Sequence, residues 1–228
     1  MHTIKKAIFG MVIFVLVLPS SAWAGKWPQC SGFLSECKGF TPDPDRSGVF
    51  VYTASNFHPR NYSRFMFTPI EIWIDPDSEY KGVQPDQLKK ITDHFLEVMT
   101  DALKDGYPIV DKPGPGVAIV RIALTNVYLK KKKWKAQHFL PIGAVSKGVQ
   151  KAAGKNIALT TAHLEMEMLD SQSGERLKAG VDMQVGEKLR EKIKKGKKRP
   201  ETTWADVEKT LEFYAKRFRQ RMDAARGK

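Results

Sequence analysis

IALTTAHLEMEMLDSQSGERLKAGVDMQVG, residues 157–186, is the stretch from which the fold is read. Ala162, Leu164, Met166 and Met168 alternate with His163, Glu165 and Glu167. Leu177, Ala179, Val181, Met183 and Val185 alternate with Lys178, Asp182 and Gln184. A period of two puts successive side chains on opposite faces of a strand. Ser171-Gln172-Ser173-Gly174 separates the runs and ends in the residue that best tolerates a left-handed backbone. Setting Asp170 opposite Glu175 pairs Met168 with Leu177, Met166 with Ala179 and Leu164 with Val181. The other face then pairs Glu167 with Lys178 and His163 with Asp182. One register satisfies both faces, which predicts an antiparallel hairpin with an apolar side and a charged, solvated side.

Val117–Leu129 (VAIVRIALTNVYL) precedes the hairpin and is rich in β-branched residues, as a central strand requires. Phe65–Asp75 (FMFTPIEIWID) is another strand, with Ile70, Ile72 and Ile74 on one face. Pro69 has no N–H to give to a ladder, so it belongs near the strand start or on an edge. Gly48–Ala54 is a short strand candidate. Pro85–Asp105 reads as a helix, with Leu88, Ile91, Phe95, Val98, Met99, Ala102 and Leu103 in one stripe and Gly106 as its stop. Thr203–Ala225 reads as a second helix, striped by Trp204, Val207, Leu211, Tyr214, Phe218 and Met222. A helix between two strands implies a parallel pair with a right-handed crossover. The expected fold is α+β: a two-layer sandwich, its mixed sheet covered on one face by two amphipathic helices.

The 228 residues are 42% hydrophobic and 28% charged, with only two cysteines. That excludes collagen-like, disulfide-framework and multi-pass membrane proteins. Lys5 and Lys6, the apolar run Ala7–Leu18 and Ala22-Trp23-Ala24 are the three parts of a secretory signal, with cleavage expected between Ala24 and Gly25. The domain reading is therefore a signal at 1–24, a lead-in at 25–60 and one domain over 61–228 with an insert at 130–155. The whole chain carries +13, and loss of the signal leaves 36 basic against 25 acidic residues, or +11. Outside the cytoplasm the counter-charge is an anionic membrane or an acidic protein; nucleic acid is not an expected partner. Cys30 and Cys37 in CSGFLSEC are expected to form a disulfide in an oxidising compartment, with free thiols and lipidation as the alternatives.

Catalytic signals are weak. Gly148–Asn156 superficially imitates a phosphate-binding loop but has one residue too many between its glycines and Asn156 in place of Ser or Thr. His163, Glu165 and Glu167 share a strand face, yet the hairpin register assigns them to ion pairs or solvent. There is no Gly-x-Ser-x-Gly elbow. No enzyme activity, metal or cofactor is expected. The remaining signal is Lys130, Lys131, Lys132, Lys133, Trp134 and Lys135, followed by an apolar stretch bearing Lys147 and Lys151. Lysines beside an aromatic and an apolar face suit an anionic membrane surface or a protein partner.

Six pieces also run in order through the chain. They are Ser31-Gly32-Phe33-Leu34, Pro69-x-Glu71-x-Trp73, Tyr107-Pro108-x-Val110-Asp111-x-Pro113-Gly114-Pro115-Gly116, Leu140-Pro141-Ile142-Gly143, Leu169-Asp170-Ser171-x-x-Gly174-Glu175-Arg176 and Thr203-Trp204. In these the chain resembles a bacterial envelope family known as domain of unknown function 3313. That resemblance implies a secreted protein, in many cases a lipoprotein, and carries no catalytic residue or ligand. Cys30 departs from the pattern, since Trp27-Pro28-Gln29 before it is not a lipidation context. The expectation is a non-enzymatic periplasmic envelope protein, with outer-membrane association and homo-oligomerisation as options. The alternative is an enzyme or small-ligand carrier with a pocket between the sheet and residues 137–155.

Overall fold

The computed structural model describes residues 30–81, 85–131, 157–183 and 204–227. Seven strands form one mixed sheet: β1 (Thr41–Pro42), β2 (Val49–Thr53), β3 (Arg64–Phe67), β4 (Glu71–Ile74), β5 (Val117–Lys131), β6 (Ile157–Asp170) and β7 (Arg176–Asp182). Their order is β1-β2-β7-β6-β5-β3, and β4 also pairs with β5. Two α-helices, α1 (Pro85–Leu103) and α2 (Trp204–Arg226), and a short 3-10 turn at Pro59–Asn61 complete the described elements. This is the α+β sandwich read from the sequence.

The strand expected over Phe65–Asp75 is divided. Both halves run parallel to β5, Phe67 lying opposite Val120 and Glu71 opposite Ala123. Four residues on this edge thus answer three on β5, and the extra one falls where Pro69 cannot donate. The chain from β4 through α1 returns to β5 in parallel, as expected.

One face of the sheet meets the helices. Ile91, Phe95, Met99 and Leu103 of α1 and Val207, Leu211 and Met222 of α2 are buried against Val120, Ile122, Leu124 and Leu164. Removing one such side chain costs about 2–5 kcal/mol, because close-packed surroundings only partly refill the space.

Two bulges decide which residues face that way. Asn126, the only described non-glycine residue with a positive φ (49°), sits where the β5–β6 register shifts. Ala118, Val120, Ile122 and Leu124 precede it on the helix side, and Val127 and Leu129 follow it there. The second shift lies at Leu177. Leu169 pairs with Arg176 but Met168 pairs with Lys178, so Leu177 is the extra residue. This corrects the hairpin register. Asp170 N–H does donate to Glu175 O (2.8 Å). Past the bulge, however, Glu167 lies opposite Ala179, Glu165 opposite Val181 and Leu164 opposite Asp182. An inserted residue reverses the facing of everything beyond it.

The second face is not solvated. Phe33, Leu34 and Phe40 from the lead-in pack on Phe50, Ala123, Ala179 and Val181. Glu165 and Glu167, expected in solvent or ion pairs with the hairpin partner, are fully buried beneath this cover.

Candidate functional site

The cover is held by polar groups that reach up from the sheet. Ser31 Oγ donates to Glu165 Oε2 (3.0 Å), and Thr125 Oγ1 donates to Glu165 Oε1 (2.6 Å). Ser35 N–H donates to Glu167 Oε1 (3.0 Å), joined by Ser35 Oγ. Arg121 Nη1 meets Glu167 Oε2 at 2.9 Å, with its guanidinium 4.6 Å from the Phe33 ring centroid. Arg176 donates to the carbonyls of Glu36 and Lys38 and lies 4.0 Å above the Tyr52 ring. Cys30 and Cys37 form a disulfide across this segment, with Cα atoms 6.0 Å apart. Gly32 has φ +99°, a backbone region that side chains rarely adopt, and a Cβ at this position would lie 3.4 Å from the Trp73 ring. Every acceptor in this network has a donor, so its role is to fasten the cover.

The open space is on the helix side. A cavity of about 380 Å³ lies between β2, β6, β7 and α2. Sheet and helix part here because Gly180 has no side chain and the bulge turns Lys178 and Asp182, instead of Ala179 and Val181, toward α2. Val49, Val51, Met166 and Met168 line the sheet side, and Phe218 and Met222 line the helix side. The size falls in the ~300–1,000 Å³ range of small-molecule sites.

The polar lining is mostly cationic: Arg46, Lys178, Arg217 and Arg221, with Asp182 as the one acid among the described residues. Tyr214 OH donates to Asp182, which is 2% exposed, and accepts from Arg46 Nη1 (3.2 Å). Asp43 binds Arg46 (Nη2 to Oδ2, 2.5 Å) and lies 3.6 Å from Arg221 Nη2. Burial opposes ionisation of Asp43, but the hydrogen bond and charge of Arg46 outweigh it and hold the carboxyl below its ordinary value. Burial, and then the charge of Arg221, lowers the Lys178 ammonium. Burial, and then the charges of Arg217 and Arg46, lowers Arg221 despite Asp43. Arg217 Nε is buried with no hydrogen-bond partner among the described residues. A buried donor of this kind is stabilised by any acceptor that reaches it.

Of the residues singled out in the sequence, Cys30 and Cys37 are bonded. Lys130 is exposed at the end of β5, and Lys131 is the last residue of that strand. Ala24, Gly25, Lys132, Lys133, Trp134, Lys135, Lys147 and Lys151 lie outside the described residues, as does the 137–155 segment against which a pocket was expected. The cavity seen among the described residues lies against α2. Asp182 lies opposite Leu164 instead of His163, and His163 Nδ1 is 2.9 Å from Asn126 Nδ2. The cationic lining escaped the sequence reading. Its one local trace is Arg217 and Arg221, a pair four apart that borders the apolar stripe of α2.

Fold and cavity together define an α+β sandwich with one sheet face sealed by its own N-terminal segment and a cation-lined apolar chamber on the other. A family model described as a protein of unknown function, DUF3313, matches residues 29–218, and the chain belongs to that family. It is 26% identical over 143 residues to the uncharacterized lipoprotein YdcL of Escherichia coli K12, a span of 62% of this chain and 64% of that one. The chain thus spans a little under two thirds of the length of this curated relative. Among solved structures, the PelC dodecamer from Paraburkholderia phytofirmans is 7% identical with a TM-score of 0.37, covering 74% of this chain and 96% of that one. A DUF4136 family protein from Bacteroides thetaiotaomicron is 12% identical with a TM-score of 0.36, covering 78% and 95%. Scores this low carry no conclusion.

Proposed function

We propose that the chain is exported to the bacterial cell envelope and acts there as a non-enzymatic binding protein, its ligand seated in the cavity between β7 and α2. The cavity carries this reading: an apolar chamber with a few convergent polar groups is the usual form of a small-molecule site. Export is supported by the signal-like residues 1–24 and by the lipoprotein name of the Escherichia coli relative. The test is titration of protein lacking residues 1–24 with N-phenyl-1-naphthylamine, a neutral apolar fluorophore. Saturable one-to-one binding that Ala225→Trp abolishes is expected, since Ala225 lines the cavity on the partly exposed side of α2. Unsaturable binding, or binding indifferent to that substitution, rejects the site.

A second reading concerns where the protein works. Exposed Lys130, next to the last residue of β5, opens the run to Lys135, which supports docking of this end on an anionic membrane, at roughly 1 kcal/mol per lysine near the surface. Co-sedimentation with phosphatidylglycerol vesicles should fall when Lys130–Lys133 are changed to Glu. Unchanged co-sedimentation rejects this surface.

A further inference from the structure

Resting on the cavity reading above, we infer that the ligand is a single-chain anionic amphiphile, its acyl chain against Met166, Met168 and Phe218 and its carboxylate or phosphate against Lys178, Arg217 and Arg221. Three observations support this. The walls are aliphatic and aromatic, so the body of the ligand is apolar. At the ~30 Å³ that a water-sized group occupies in a liquid, about a dozen methylene-sized groups fill the 380 Å³. That is the volume of a medium-length chain.

The head is anionic because positive charge is in excess where the chamber is polar. Asp182 is engaged by Tyr214, and Asp43 is engaged by Arg46 and Arg221. Lys178 has the Phe57 ring 5.9 Å away and feels the repulsion of Arg221. Arg217 Nε has no acceptor among the described residues. An oxyanion placed among these three cations would relieve their mutual repulsion and accept from the orphaned donor. Charge-assisted hydrogen bonds of this kind are roughly twice as strong as neutral ones. A neutral head would leave the cations crowded, and a cationic head would add to the crowding.

The experiment uses protein lacking residues 1–24, delipidated, with four probes below their micelle thresholds: dodecanoate, dodecyl phosphate, dodecanol and dodecylammonium. Affinity is read by displacement of N-phenyl-1-naphthylamine. Dodecanoate or dodecyl phosphate should bind at least tenfold more tightly than dodecanol, and dodecylammonium most weakly. The tighter of the two anions identifies the head as that of a fatty acid or of a lysolipid. Shortening the preferred chain by two methylenes should weaken it about tenfold. Arg217→Gln and Lys178→Gln should each cost the anion about tenfold or more and leave dodecanol unchanged. The wild-type comparison stands even if a variant fails to fold. If dodecanol displaces the fluorophore as well as the anions do, the head assignment is overturned and the cavity reading survives. If none of the four probes displaces it, the amphiphile assignment fails, and the cavity reading is decided separately by the Ala225→Trp result.

Discussion

Arg121→Met is the substitution that most sharply probes how the sealed face is held. Glu167 is fully buried and accepts from Ser35 N–H, Ser35 Oγ and Arg121 Nη1. Methionine keeps an apolar stem beneath Phe33 but removes the only cation in hydrogen-bond contact with this carboxylate among the described residues. Leaving one member of a buried ion pair uncompensated costs about 3–5 kcal/mol. The Arg121 side chain is 27% exposed, which places the expectation at the lower end, about 3 kcal/mol. Replacing both partners, Arg121→Met with Glu167→Met, removes the buried charge as well. The remaining penalty is the Ser35 N–H left without an acceptor, about 1–3 kcal/mol. The double variant should therefore be no less stable than Arg121→Met alone, so the coupling between the two sites should be at least as large as the loss caused by Glu167→Met alone. Urea unfolding followed by tryptophan fluorescence measures this, and Trp73 reports locally because its ring centroid is 6.4 Å from that of Phe33. Additive losses, or a loss below about 1 kcal/mol for Arg121→Met, would refute the account of the cover as an ion-anchored layer.

Replacing both cysteines by serine opens the loop that presents Ser31 and Ser35, and should cost roughly 2–3 kcal/mol by calorimetry; a loss under 0.5 kcal/mol would contradict the clamp. Asp170 is held below its ordinary pKa first by the Ser173 N–H, against some burial, then by the Gln172 N–H and Tyr62. Its stabilisation is therefore complete above the unfolded value of ~3.9 and is lost as pH falls through the lower folded value, so Asp170→Asn should lower Tm more at pH 7 than at pH 3. An equal decrement at both would be inconsistent with that origin. Asn126→Val should be about 1–2 kcal/mol less stable than Asn126→Gly, because both lose the His163 contact but only valine is strained at φ 49°. Equal stability of the two would remove strain from the argument.

Periodicity carried the fold because each helix buries one stripe and each strand alternates, so Ile91, Phe95, Val207 and Leu211 declare their facing within their own segment. The hairpin shows the limit of that logic. Its turn and the Asp170–Glu175 pair are local and were legible. The extra residue at Leu177 was not, because an apolar residue satisfies either side of a bulge. Everything that depends on it was misassigned together: Glu165 and Glu167 looked solvated, and Lys178 and Asp182 looked like surface partners. The cover was hidden for a related reason. Phe33, Leu34 and Phe40 lie among Gly, Ser and Cys without any period, and their packing depends on sheet residues as distant as Ala123, Ala179 and Val181. The cavity is assembled from segments as distant as Arg46 and Ala225, so no local pattern announces it.

The most direct test of the central claim, that this fold holds a ligand between sheet and C-terminal helix, is amide chemical-shift mapping of the protein with dodecanoate. Saturating shifts concentrated in β2, β7 and the 214–225 stretch of α2 are predicted, with the covered face around Ser35 unmoved. Shifts scattered over the surface, or centred on the covered face, would contradict it.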